Sequence, residues 1–373
     1  MSIFTVTYQL ALADGEELDK KIRNLCLEQS VELPEKVLSK AIAEKIVGRV
    51  RQTIKRSDAV YEAVIAWPLD NAGTEIAQFL NLLYGNISLK PGIKILSADW
   101  SSLADTLFVG PRFGIDGIRD RFHIFDRALS ATALKPMGSS VSDLADLAFR
   151  FAVGGIDLIK DDHGIANQNY APFVKRVEAC VKAMDRAARQ TGQRSRYFSN
   201  ITADAGEVEY RYRKAYELGA DGVMICPHIT GLPVLHRLAR LDIDLPIIAH
   251  PAFAGPLTMD ESRGFTPDFL YGQLWRALGA DFVIYPNAGG RFSYNLSECM
   301  AVNESARQPY SPFKTSFPMP GGGIKIENIG RWTRAYGKDS CLLVGSSLYE
   351  YPGGIEAAAR QFTTQLKEIN YES

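Results

Sequence analysis

Between residues 156 and 163 an apolar run ends in Lys160-Asp161-Asp162-His163: a lysine, two carboxylates and an imidazole in consecutive positions. On a strand, Lys160 and Asp162 share one face, Asp161 takes the other, and His163 stands where the strand opens into a loop. A lysine buried beside a carboxylate is costly unless the charges are used, so this tip reads as a metal or proton-transfer site. Other apolar runs end in comparable groups. Lys135 follows 129–134, Asn200 lies in 197–201, His250 follows 246–249, and Asn287-Ala288-Gly289-Gly290-Arg291 follows 282–285. Two glycine- or serine-rich turns, Gly321-Gly322-Gly323 and Gly345-Ser346-Ser347, come last.

Such groups need a scaffold that brings strand ends together. Short apolar runs at 129–134, 156–160, 197–201, 222–226, 246–249, 282–285, 315–319 and 342–345 read as strands. Helical spacing over 141–153, 173–190, 208–218, 267–278 and 355–369 separates many of them. Strands alternating with helices imply parallel βαβ units, and eight in about 250 residues have the size of a (β/α)8 barrel. Barrel active sites lie at the carboxyl ends of the strands, where the polar groups named above fall. Upstream, 4–10 and 60–67 read as strands, and 38–53 and 74–83 carry helical spacing. The expected architecture is α/β: a smaller α+β, ferredoxin-like domain over 1–115, then the barrel over 116–373.

A formal net charge of -1 leaves no basic footprint for nucleic acid or anionic membrane. The 5 cysteines are scattered without CxxC spacing, as in a reduced cytoplasmic protein rather than a disulfide frame or zinc site. No leader is read at the start, and no run approaches the ~18 apolar residues of a membrane span. A cytoplasmic protein acting on small molecules is expected.

The segment Gly154-Gly155-Ile156-Asp157-Leu158-Ile159-Lys160-Asp161-Asp162-His163, with the run that follows it to Phe173, resembles the active-site segment of the RuBisCO superfamily, GGxDFxKxDE. Phe113-Gly114-Ile115, Leu134-Lys135-Pro136, Asn200-Ile201-Thr202, Gly321-Gly322-Gly323 and Gly345-Ser346 agree in order and spacing. The match is clear in the second two thirds of the chain and weak before about residue 80. The resemblance implies an α+β amino-terminal domain before the barrel, and a homodimer in which one subunit's amino-terminal domain completes the other's site. Lys135 matches the proton-transfer base. Lys160 matches the lysine that becomes a metal-binding carbamate, and Asp162 an aspartate metal ligand. Asn200, His250 and, from the amino-terminal domain, Asn86 match active-site residues, with Glu28 aligned less surely.

Departures from the pattern carry information too. His163 stands where the family has glutamate: either a divalent metal still binds, with its preference moved from magnesium towards manganese or another softer ion, as the retention of Lys160 and Asp162 favours, or His163 has become an acid or base and the metal is lost. Arg291 replaces the mobile-loop lysine; it can clamp phosphate but cannot present an ammonium to carbon dioxide. Gly322, Gly323, Gly345 and Ser346 retain one backbone phosphate grip, of the kind barrels place after their last two strands. Pro251 and Ile284 occupy the positions of an arginine and a histidine of the second phosphate grip, and Met137 that of a further lysine. The chain therefore resembles the non-carboxylating, RuBisCO-like branch.

What remains is equipment for enolising a singly phosphorylated keto sugar, with a divalent metal, Mg2+ or Mn2+, polarising the ketone. Apolar Ile284, Pro251 and Phe253 suit an uncharged end such as methylthio. A 5-methylthioribulose-1-phosphate isomerase is the expected activity. The alternatives are a 2,3-diketo-5-methylthiopentyl-1-phosphate enolase, a 3-oxo-isoapionate-4-phosphate decarboxylase or transcarboxylase, and a non-catalytic regulatory protein that binds a phosphorylated ligand.

Overall fold

Along β1 (Ile3–Ala11) every second residue, Phe4, Val6, Tyr8 and Leu10, is buried, the period-two pattern of a strand with one covered face. The computed structural model describes residues 2–103, 107–309, 313–369 and 371. In it β1 pairs antiparallel with β3 (Val60–Pro68) and β4 (Ile93–Ala98), and β2 (Arg49–Lys55) pairs antiparallel with β3. Helices Leu18–Glu28 and Ile76–Tyr84 add Ile22, Leu25, Phe79 and Leu82 to the same apolar core. The sheet order β4-β1-β3-β2 with βαββαβ connectivity is the expected ferredoxin-like arrangement.

Helical spacing over 38–53 does not become one helix. A short helix, Lys40–Lys45, gives way to strand β2. Gly48 lies so close over the Trp67 ring that a Cβ there would stand 2.5 Å from it. Beyond it the chain pairs with β3 as an edge strand carrying Arg49, Arg51 and Lys55 on an exposed surface. Edge pairing satisfies the backbone, and the charges protect the edge, so local spacing is overruled.

The second unit is a closed barrel of β5 (Leu129–Leu134), β6 (Leu158–Asp161), β7 (Arg196–Asn200), β8 (Gly222–Ile225), β9 (Ile247–Ala249), β11 (Phe282–Pro286), β12 (Phe317–Gly321) and β13 (Cys341–Val344). The intervening β10 (Gly264–Phe265) leaves the barrel and adds a parallel edge to β4. Every pairing within the barrel is parallel, so all carboxyl ends open at one mouth. The predicted α-helix over 267–278 winds in the wider π form from Asp268 to Leu274, followed by one α turn.

Alternate residues fill the barrel interior: Leu129 and Ala131, Leu158, Phe198, Met224, Ile248, Phe282 and Ile284, Phe317 and Met319, and Cys341 form one apolar cluster. Ile284 is part of this packing, below the mouth, and not an exposed wall for substrate. The helix Gly114–Phe122, which sequence reading missed, closes the amino end. Its Ile115 and Ile118 join the cluster, and its Phe122 packs on Phe282, the first residue of β11.

Candidate active site

Period-two alternation that buries Leu158 inside the barrel also sends Lys160 inward, one step nearer the mouth, and Asp162 beyond it. Lys160 is 1 % exposed, and its Nζ donates to the Asp161 carbonyl at 3.0 Å. Burial, opposed by the charge of Asp162 and aided by that of Lys135, brings its pKa down to about 8. Lys135, one residue past β5, reaches across to Asp162 Oδ1 at 2.5 Å. The hydroxyl of Tyr349, from the short helix after β13, donates to the Ala133 carbonyl and accepts from the Lys135 amide, which fixes the end of β5. Lys135 and Lys160 thus flank one carboxylate at one mouth.

Burial of Asp162 opposes ionisation. The hydrogen bond from His163, the charge of Lys160 and the bond from Lys135 outweigh it and hold the carboxyl well below the usual carboxylate range. Its Oδ2 accepts from the Gly164 amide at 3.3 Å and lies 3.5 Å from His163 Nδ1. The half-exposed His163 ring stacks on His250, with centroids 4.6 Å apart. The Ala252 amide donates to His250 Nδ1 at 3.1 Å, so in neutral His250 the ring proton is on Nε2. Desolvation, then the charges of Lys160 and His163, push its pKa well below the ordinary histidine value. His250 is thereby a neutral donor.

Asp161 points outward, as alternation requires, into a buried network behind the site. Its carboxylate accepts from Arg176 Nε at 3.0 Å, the Tyr197 hydroxyl at 2.8 Å and the Asn200 amide at 2.9 Å. The Asn200 side chain donates to the carbonyls of His163 and Ile165, each at 3.0 Å, and accepts from the Thr202 amide. Its amide is fully engaged in holding the loop that carries His163. Cys226, past the end of β8, lies close enough to Lys160 and Asp162 to feel their charges, and the same strand-end rule would have found it.

On the adjoining arc, Gly321 of β12 pairs with Leu343 of β13, bringing Gly322 and Gly323 beside Gly345 and Ser346. A Cβ on Gly345 would meet nothing within 4 Å, whereas one on Gly323 would stand 2.7 Å from the Gly289 carbonyl. The loop after β11 is therefore keyed into the glycine turn by backbone contact. Asn287 locks the two together: its amide donates to Gly321, its side chain to Gly322 at 3.0 Å, and it accepts from the Tyr336 hydroxyl at 2.5 Å. Sequence reading singled out Arg291, which is exposed at the end of this loop. Asn86 donates to Glu28 at 3.3 Å, and Glu28 pairs with Lys90 at 2.6 Å. This cluster lies on the amino-terminal domain.

Charge decides which cation this mouth would accept. Two ammonium groups face Asp162, and among the described residues no three of His, Cys, Asp and Glu converge. That donor set fits a divalent ion only when Lys160 carries an anion in place of its ammonium.

The family of the ribulose bisphosphate carboxylase large chain, catalytic domain, matches residues 114–368. A 5-methylthioribulose-1-phosphate isomerase of Rhodospirillum rubrum is 37% identical, over 92% of this chain and 91% of its own. A 2,3-diketo-5-methylthiopentyl-1-phosphate enolase of Bacillus pumilus is 32% identical, over 99% of this chain and 93% of its own. The crystal structure of a Rubisco-like protein from Rhodopseudomonas palustris covers 100% of both chains with a TM-score of 0.89 at 32% identity.

Proposed function

The chain belongs to the RuBisCO large-chain family as a RuBisCO-like protein, and from that premise we propose that it isomerises 5-methylthioribulose 1-phosphate through an enolate. The observation that carries this reading is the pair Lys135 and Lys160 on either side of Asp162 at one barrel mouth. A 1,2-carbonyl shift removes a proton from the carbon beside the ketone and delivers one to the former carbonyl carbon. The Lys135 amine in its neutral form takes the first proton, and the ammonium so formed supplies the second. His250, donating through Nε2, would stabilise the oxygen on which charge develops. The glycine turns after β12 and β13 take the phosphate, with Arg291 closing over it.

Lys160 is also the residue through which a metal would be held. As a neutral amine its nitrogen attacks the carbon of carbon dioxide and loses a proton, which leaves a carbamate anion. Asp162, His163 Nδ1 and that carbamate would then bind Mg2+ or Mn2+, whose bound form polarises the substrate ketone. His163→Glu is expected to increase the rise in melting temperature produced by Mg2+ relative to that produced by Mn2+. An unchanged ratio would remove His163 from the ligand set.

Pro251, after β9, stands where the resemblance implies an arginine of the second phosphate grip, and Arg291, at the end of the loop after β11, where it implies the loop lysine of a carboxylase. No carboxylation of ribulose 1,5-bisphosphate is expected. The deciding experiment is incubation of 5-methylthioribulose 1-phosphate with the protein in deuterium oxide. Solvent deuterium at the carbon adjacent to the carbonyl, with formation of the isomeric ketose phosphate, is expected. Lys160→Met should lower the rate by about 10²–10⁴-fold. Turnover of the 2,3-diketo phosphate instead would make this an enolase, and labelled carbon dioxide in 3-phosphoglycerate would make it a carboxylase.

A further inference from the structure

At the amino end of the barrel, opposite the catalytic mouth, a cavity of about 230 Å³ is lined by Ile118, Phe122, Phe198 and Pro246 on one side. Arg121, Arg194, Arg196 and Asp221 complete its wall. Arg196 is the first residue of β7, on the inward face below Phe198, and its guanidinium lies 5.6 Å from the Phe122 ring. Its two Nη atoms donate to the carbonyls of Arg194 at 2.9 Å and Arg121 at 2.6 Å, which draws the three arginines together. Its nearest carboxylate oxygen, on Asp221, is 3.9 Å away.

The carboxylates that answer these three charges lie partly or largely in solvent. Arg121 pairs with Asp244 and Arg194 with Asp185, both exposed carboxylates, where pairing contributes little. Asp221 is the partly buried carboxylate of the wall, and Arg194 reaches it at 3.4 Å. Burial lowers the pKa of Arg196, Asp221 opposes this, and the charges of Arg194 and Arg121 add to it. Like charges crowded against apolar walls are stabilised by an added anion.

We infer that this cavity binds a small molecule carrying a phosphate-type oxyanion, held by Arg121, Arg194 and Arg196, with an apolar body against Phe122 and Phe198. It is distinct from the catalytic phosphate grip, because Arg196 and Asn200 are the two ends of β7, about 13 Å apart at strand rise. The probes are inorganic phosphate and phenyl phosphate, titrated by calorimetry into wild-type protein, Arg194→Ala and Arg121→Ala. Both arginines are partly exposed, at 40% and 33%, so the variants should fold, with melting curves as the check. Phenyl phosphate is expected to bind more tightly than phosphate. Each substitution should weaken it about tenfold while leaving turnover of the ketose phosphate unchanged. Binding equal in wild type and both variants, or no binding to wild type, would overturn the inference.

Discussion

Lys160 is the residue on which the chemistry of the mouth turns. With its pKa brought down to about 8, the reactive neutral amine appears as pH rises through that value, so kcat/KM should climb and level off above it. Lys160→Met should abolish that limb, and a pH profile of the two proteins checks it. Stability follows the same sign: a depressed lysine contributes fully above its unfolded value, and the contribution is lost as pH falls through about 8. Phe253, three residues past His250, is 75% exposed and has φ 71°, a left-handed conformation rare for a bulky side chain. The turn is closed by the Ala254 amide on the Pro251 carbonyl, and the phenylalanine ring beside it is largely in solvent. Phe253→Gly should raise stability by about 0.5–1 kcal/mol, the left-handed penalty relieved less the added chain entropy of glycine. If the ring meets the methylthio end, the same variant should lose preference over a hydroxyl-ended ketose phosphate. An unchanged preference would leave Phe253 without a role in selection.

At the scale of elements, β6 serves two purposes through its alternation. Lys160 and Asp162 face the reaction, while Asp161 between them ties the strand to Arg176, Tyr197 and the end of β7. Arg176–Asp161 is a fully buried ion pair, and removing one partner leaves an uncompensated charge. Arg176→Ala should cost about 3–5 kcal/mol in urea unfolding and also disturb the loop held by Asn200. A cost below about 1 kcal/mol would show that Tyr197 and the Asn200 amide suffice. The inward half of this design was legible in the sequence, since period two puts Lys160 and Asp162 together wherever the strand lies. Its outward half was not: the helix bearing Arg176 had to be docked before Asp161 had a partner.

For the whole molecule, the Asn86–Glu28–Lys90 cluster lies on the amino-terminal domain, and its side chains bond to one another there. A homodimer that presents Asn86 to the neighbouring mouth is the arrangement proposed. Mixed Lys135→Ala and Asn86→Ala subunits should then recover part of the activity that each lacks alone. No recovery despite demonstrated subunit exchange would count against shared sites. Among the described residues no helix is long and apolar enough to cross a membrane. By itself the sequence determined the barrel, its strand ends and most groups at the mouth, because period-two and period-3.6 burial are local properties of the chain. Tertiary structure decided the rest. Asn287 as the lock between two loops, Asn200 as support for a loop, Ile284 below the mouth and the arginines at the barrel's base depend on contacts between distant segments. So did the fate of 38–53, where pairing with β3 outweighed local spacing. Spacing fixes which face a residue takes, and only packing fixes what that face meets.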